Sequence, residues 1–107
     1  MEIYNYLGED FNVVMQSDAW KIGLLRYSER FSKCKVMERH NKTNEAFVLL
    51  EGTATLYVED NSVTMERCKV YNVKKGEWHH IVVSPDATVL VVENSDTSAD
   101  NTDKKEI

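Results

Sequence analysis

Residues 38–52 read ERHNKTNEAFVLLEG, and residues 76–79 read GEWH. Each stretch combines a metal-capable side chain with a neighbouring strand-like apolar run and a glycine at a fixed offset. The chemistry sits on His40, Glu45 and His79. Only three histidines occur in the chain, and two of them fall on these positions. Two imidazoles and one carboxylate suit a divalent first-row metal with open coordination sites. Plainer readings stand beside that one. His40 is also what the end of a strand before the polar loop 41–44 would carry, and Glu45 could be an edge carboxylate. His80 is most simply a satisfied surface or core residue.

Working outward, the chain is rich in strand signals. Short runs of apolar, β-branched and aromatic residues cover 11–15, 20–27, 34–40, 46–50, 53–59, 63–65, 70–73, 79–83 and 88–92. Turn clusters separate them, notably Glu51-Gly52, Asp60-Asn61-Ser62, Lys74-Lys75-Gly76 and Ser84-Pro85-Asp86. No segment sustains helical periodicity with caps at both ends. About nine short strands with regular turns predict an all-β sandwich or barrel.

Alternation then says which side chains can meet. If His40 points inward, Glu38 and Val36 share its face, while Met37 and Arg39 point away. Glu45 inward brings Phe47 and Leu49 with it. His79 inward brings Ile81 and Val83, with Trp78 and His80 outside. A polar cluster on such an apolar wall is the usual form of a small-molecule pocket. Glu38 and Glu45 side by side would each resist ionisation, through like charge and desolvation. A divalent cation would relieve that. Without one, the carboxylates would share a proton and work as an acid/base unit with the histidines.

Composition narrows the class. The chain has 107 residues, 42% hydrophobic, enough for one core, with a net charge of −5. An acidic chain without a basic cluster or Gly-rich phosphate loop gives no sign of nucleic-acid or nucleotide binding. The longest apolar run, Ala46 to Leu50, is far too short to span a bilayer, and residues 1–6 do not resemble a secretory signal. Cys34 and Cys68 make no disulfide framework. The expectation is a soluble cytoplasmic protein. Residues 1–93 are read as one domain. Residues 94–107, polar and almost free of large aliphatics, are read as a flexible, mostly unstructured tail, with strapping onto a neighbouring subunit as the alternative.

Together the two stretches resemble the paired motifs of the cupin superfamily. The first of these is a glycine, five residues, His-x-His, three or four residues, Glu, six residues and Gly. His40, Glu45 and Gly52 match its later part. The second is a glycine, five residues, Pro-x-Gly, two residues, His, three residues and Asn; Gly76 and His79 match. Glu38 replaces the first histidine, Cys68 the first glycine of the second motif, Lys74 the proline, and Val83 the asparagine. The resemblance implies a double-stranded β-helix, or jelly-roll barrel. It also implies a metal site of His40, Glu45 and His79, with Glu38 as fourth ligand or catalytic base. Iron, manganese, nickel or zinc would suit the site.

Three functions fit that resemblance, and the sequence does not decide whether the chain is an enzyme. One is a small metal-dependent cupin that binds or transforms a small polar metabolite. Another is a metal-free sugar-nucleotide isomerase, disfavoured because a diphosphate would have only four arginines to choose from. The third is a non-catalytic ligand-binding or regulatory module. Exposed strand edges predict a homodimer, with Phe11 to Tyr27 supplying the added or swapped strands.

Overall fold

The computed structural model describes residues 1–107 as two five-stranded antiparallel sheets packed face to face. Ten strands follow in order: β1 (Phe11–Gln16), β2 (Trp20–Arg26), β3 (Val36–His40), β4 (Glu45–Glu51), β5 (Ala54–Val58), β6 (Asn61–Thr64), β7 (Tyr71–Val73), β8 (His79–Val83), β9 (Thr88–Asn94) and β10 (Thr102–Glu106). Single 3-10 turns occupy Glu29–Phe31 and Ala99–Asn101. One sheet runs β1-β2-β9-β4-β7 and the other β10-β3-β8-β5-β6. The all-β jelly-roll expectation is met. No helix is long and apolar enough to cross a membrane.

Alternating burial drives this arrangement. Phe47 and Leu49 on β4, Ile81 and Val83 on β8, and Val89 and Val91 on β9 all point into one apolar cluster between the sheets. Removing such side chains from water is the main favourable term in folding. Met37 departs from the alternation reading: it is buried, yet it does not join that cluster.

The same periodicity puts one polar residue of each core strand at one end of the barrel. Glu45 opens β4 and stands opposite Glu93 near the end of the antiparallel β9. His79 opens β8, and His40 closes the antiparallel β3 beside it. Four strand ends thus converge without any break in the pattern.

Two turn glycines hold that geometry. Gly52 has φ +73°, and a Cβ there would come within 2.6 Å of the Ala87 Cα. Gly76 has φ +84° in open space, so its need for glycine is conformational. Its N–H donates to the carbonyl of His40 at 2.8 Å, which ties the second motif to the strand end of the first. Cys68, standing where the resemblance has a glycine, keeps a positive φ of 65°.

Residues 94–107 correct the sequence reading. β9 runs on to Asn94, and β10 pairs with β3 of its own chain over its full length. Apolar burial does not hold this segment; polar cross-strand pairs do. Asp103 lies opposite Arg39 and bonds its Nε at 2.8 Å, and Lys104 lies opposite Glu38. Lys105 sits over the Trp78 ring at 4.5 Å, with Arg39 also stacked on that ring at 4.6 Å. Ser98 and Asn101 form a reciprocal capping box before the strand.

Candidate metal centre

The polar strand ends line a cavity of about 310 Å³. That volume suits a small metabolite. Among its lining residues, one ligand atom each from His40, Glu45 and His79 lie within 4.8 Å of one another, and all three residues are buried. Glu45 Oε1 is 2.9 Å from His79 Nε2 and 3.3 Å from His40 Nε2.

The far nitrogens of the two imidazoles are held differently. His79 Nδ1 faces the carbonyl oxygen of Glu77 at 3.2 Å. A carbonyl only accepts, so Nδ1 carries a proton, and Nε2, facing Glu45 Oε1, is the nitrogen that a metal would take in place of its own proton. His40 Nδ1 meets the hydroxyl of Thr102 at 2.8 Å. A hydroxyl both donates and accepts, so it serves either tautomer of His40.

Glu93 is the residue that the sequence reading missed. It is buried, paired in register with both Glu45 and Lys21, and shares the parity of Val89 and Val91. Extending the β9 alternation by one step would have found it. Burial and the adjacent Glu45 carboxylate raise the Glu93 pKa to about 8. Burial also opposes the charge on Glu45, but hydrogen bonds from His40, His79 and Glu93 outweigh it and hold Glu45 below the usual carboxylate range. His79 follows the same logic. Burial opposes its charge, while Glu45 and the Glu77 carbonyl stabilise the imidazolium and raise its pKa. The shared environment thus pushes the two carboxylates in opposite directions, Glu45 toward its ionised form and Glu93 toward its protonated form.

Glu38 is placed elsewhere. It lines the cavity, but its Oε1 lies 3.3 Å from Arg30 Nη2 and 3.7 Å from Lys104 Nζ, and it is not part of the three-residue cluster. The carboxylate neighbour anticipated for Glu45 exists, as Glu93 rather than Glu38. His80 stacks on Phe31 with ring centroids 6.1 Å apart.

The donor set fits a divalent metal. Two ligand atoms about 2.1 Å from a shared tetrahedral ion stand about 3.4 Å apart. The 3.3 Å and 2.9 Å separations are close to this, and the shorter needs to open by about half an ångström. Both imidazoles have partners on their outer nitrogens, as metal-ligating histidines usually do.

At the level of sequence, no family model and no curated protein matches the chain. Solved structures do. A cupin-2 domain protein from Shewanella frigidimarina has a TM-score of 0.66 at 17% identity, over 83% of this chain and 84% of that one. An RmlC-like cupin from Methanocaldococcus jannaschii has a TM-score of 0.66 at 14% identity, over 88% and 90%. A nucleoside dehydratase from Streptomyces, with uridine bound, reaches 0.70 at 5% identity, over 97% and 84%. At such identities the likeness is one of fold, and the fold of this chain is that of the cupins.

Proposed function

We propose that the chain binds or transforms a small polar metabolite at a divalent-metal centre held by His40, Glu45 and His79. One observation carries this reading: ligand atoms of three buried residues converge within 4.8 Å in the lining of a cavity open to solvent. When bound, such an ion acts as a Lewis acid toward a carbonyl or a coordinated water. The protein's own residues supply the rest. Thr102 and the Glu77 carbonyl orient the two imidazoles. Glu93 holds a proton beside Glu45 and can deliver it within the cavity. Phe47, packed edge-on to His79 with ring centroids 6.0 Å apart, keeps water from the site's inner side.

A second reading is favoured by the Glu45–Glu93 pair. A carboxylate and a carboxylic acid side by side, with the raised His79, form an acid/base unit that works without metal. The fold likeness to a nucleoside dehydratase supports it, since dehydration needs a base and an acid.

Metal analysis of untagged protein, reconstituted separately with iron, manganese, nickel and zinc, separates the two. The first reading expects about one ion per chain. Content well below that with all four metals would contradict it and favour the acid/base reading.

The homodimer belongs to the same proposal. β1 is a sheet edge, and Met1, Ile3, Leu7 and Val13 beside it are exposed. A second copy covering that edge would bury them. Light scattering should give twice the chain mass, and a monomer at micromolar concentration would contradict it.

A further inference from the structure

The rim of the cavity has a charge unlike that of the chain. Arg30, in the Glu29–Phe31 turn, and Lys104 on β10 line the main cavity and also an adjoining depression that takes in Lys33 and Lys35. Four cations stand there against two lining carboxylates, Glu29 and Glu38, with Asp10 also 3.8 Å from Arg30 Nη1, on a chain of net charge −5. Arg30, Lys33 and Lys35 lie within six residues of one another, and the pairing of β10 with β3 brings Lys104 to join them. Lys33 and Lys35 are exposed and make no ion pair. The Arg30 guanidinium lies over the Phe31 ring at 4.8 Å, which fixes the plane of its donors.

Unspent hydrogen-bonding capacity lies along the same path. His80 borders both the cavity and the depression, and its Nε2 is buried with no partner. Thr97 Oγ1, bordering the cavity, is also buried without a partner. Buried polar atoms of this kind call for an explanation, and a bound ligand supplies one. Glu38 bridges Arg30 and Lys104.

We infer that this rim is an oxyanion subsite. The ligand is then a small metabolite carrying a carboxylate or phosphate at the Arg30, Lys33, Lys35 and Lys104 end. Its other, polar end reaches the His40–Glu45–His79 cluster; that second half rests on the proposed function. A cationic opening on an otherwise acidic protein raises the local concentration of such anions. Glu38 acts as a counter-ion that the anion displaces, rather than as a ligand to the metal.

The test titrates inorganic phosphate and, separately, malonate into chelator-treated protein at constant ionic strength, with amide and side-chain NMR shifts as the readout. Saturable shifts at Arg30, Lys35 and His80 are expected with at least one of the two anions, and which one responds identifies phosphate or carboxylate as the preferred group. The exposed double variant Lys33→Glu, Lys35→Glu should weaken that binding at least about tenfold, as reversing two nearby charges implies. Glu38→Gln should tighten it, with metal affinity unchanged. Shifts that never saturate with either anion, or saturate equally in the double variant, would overturn the subsite. Metal content measured on the same preparations keeps the two proposals apart. Metal without anion binding removes only the subsite, and anion binding without metal removes only the metal centre.

Discussion

Two walls of the cavity are built on opposite principles. One is formed by β4, β8 and β9, where each strand alternates core and surface and ends in a polar residue. The other is formed by β3 and β10, where β10 carries no large aliphatic side chain at all. The first wall is held by buried apolar area, and the second by paired charges and hydrogen bonds on an edge strand. Strong burial fixes where Glu45 and His79 stand. The polar edge fixes how His40 is turned, through Thr102. Positioning a site and orienting it are thus assigned to different parts of the chain.

Substitutions can break that division, and the largest effect should come from the apolar wall. Leu49→Ala should cost about 2–5 kcal/mol of stability in urea unfolding, as a cavity in a packed core does. Asp103→Ala on β10, which removes a half-exposed pair with Arg39, should cost less than about 1 kcal/mol. Similar costs for the two would refute the contrast. On metal affinity the order should reverse. Thr102→Val removes the hydroxyl at His40 Nδ1 and should weaken metal binding about tenfold or more, within the range for outer-shell partners. Thr102→Ser should restore it, and Leu49→Ala, distant in kind from the ligands, should leave it within about threefold. Calorimetric titration of the folded variants distinguishes these outcomes.

The pH dependence sharpens the comparison further. Glu93, raised to about 8 from 4.5, gives stability that is complete below the lower value and is lost as pH rises toward the upper. His79, also raised, loses its contribution in the same direction, as pH rises through its folded value. Glu45, lowered, contributes above the ordinary carboxylate range and loses that only in acid. Metal-free protein should therefore melt at a higher temperature at about pH 6 than at about pH 8.5. Glu93→Gln should flatten that difference. An equal or opposite pH trend in the wild type would contradict the shared-proton description of the carboxylate pair.

The smallest effect lies far from the β10 edge, in the loop before β7. Cys68 holds a left-handed backbone that disfavours a side chain by about 1–2 kcal/mol. Cys68→Gly relieves this but adds freedom to the unfolded chain, so a net gain of about 0.5–1 kcal/mol is expected in urea unfolding.

The same contrast explains what could be read from the sequence. Period-two burial made the first nine strands visible, and the glycine offsets placed His40, Glu45 and His79 at one end. Gly52 and Gly76 were readable because each occupies a backbone conformation that a side chain resists. β10 was not readable by that signal, because its stability lies in pairing across to β3. The signal was present in another form. Read antiparallel, Lys104 and Asp103 oppose Glu38 and Arg39 with alternating sign. The fourth polar residue was assigned to Glu38 because motif spacing gave it a place. Spacing places a residue on a face, and the neighbouring charges decide where its carboxylate goes. Arg30 and Lys104, one of them on the unforeseen strand, draw Glu38 to the rim. Glu93 lay just past the expected end of β9, where the apolar run had stopped but the alternation had not.

The most direct test of the centre is a paired metal titration by calorimetry on wild type, Glu38→Gln and His79→Ala, each checked for folding by circular dichroism. Wild type and Glu38→Gln should bind one ion per chain with affinities within about threefold of each other, whereas His79→Ala should lose more than about 100-fold, beyond the loss typical of outer-shell partners. Binding by His79→Ala as tight as wild type, or its loss in Glu38→Gln alone, would contradict the assignment of the centre to His40, Glu45 and His79.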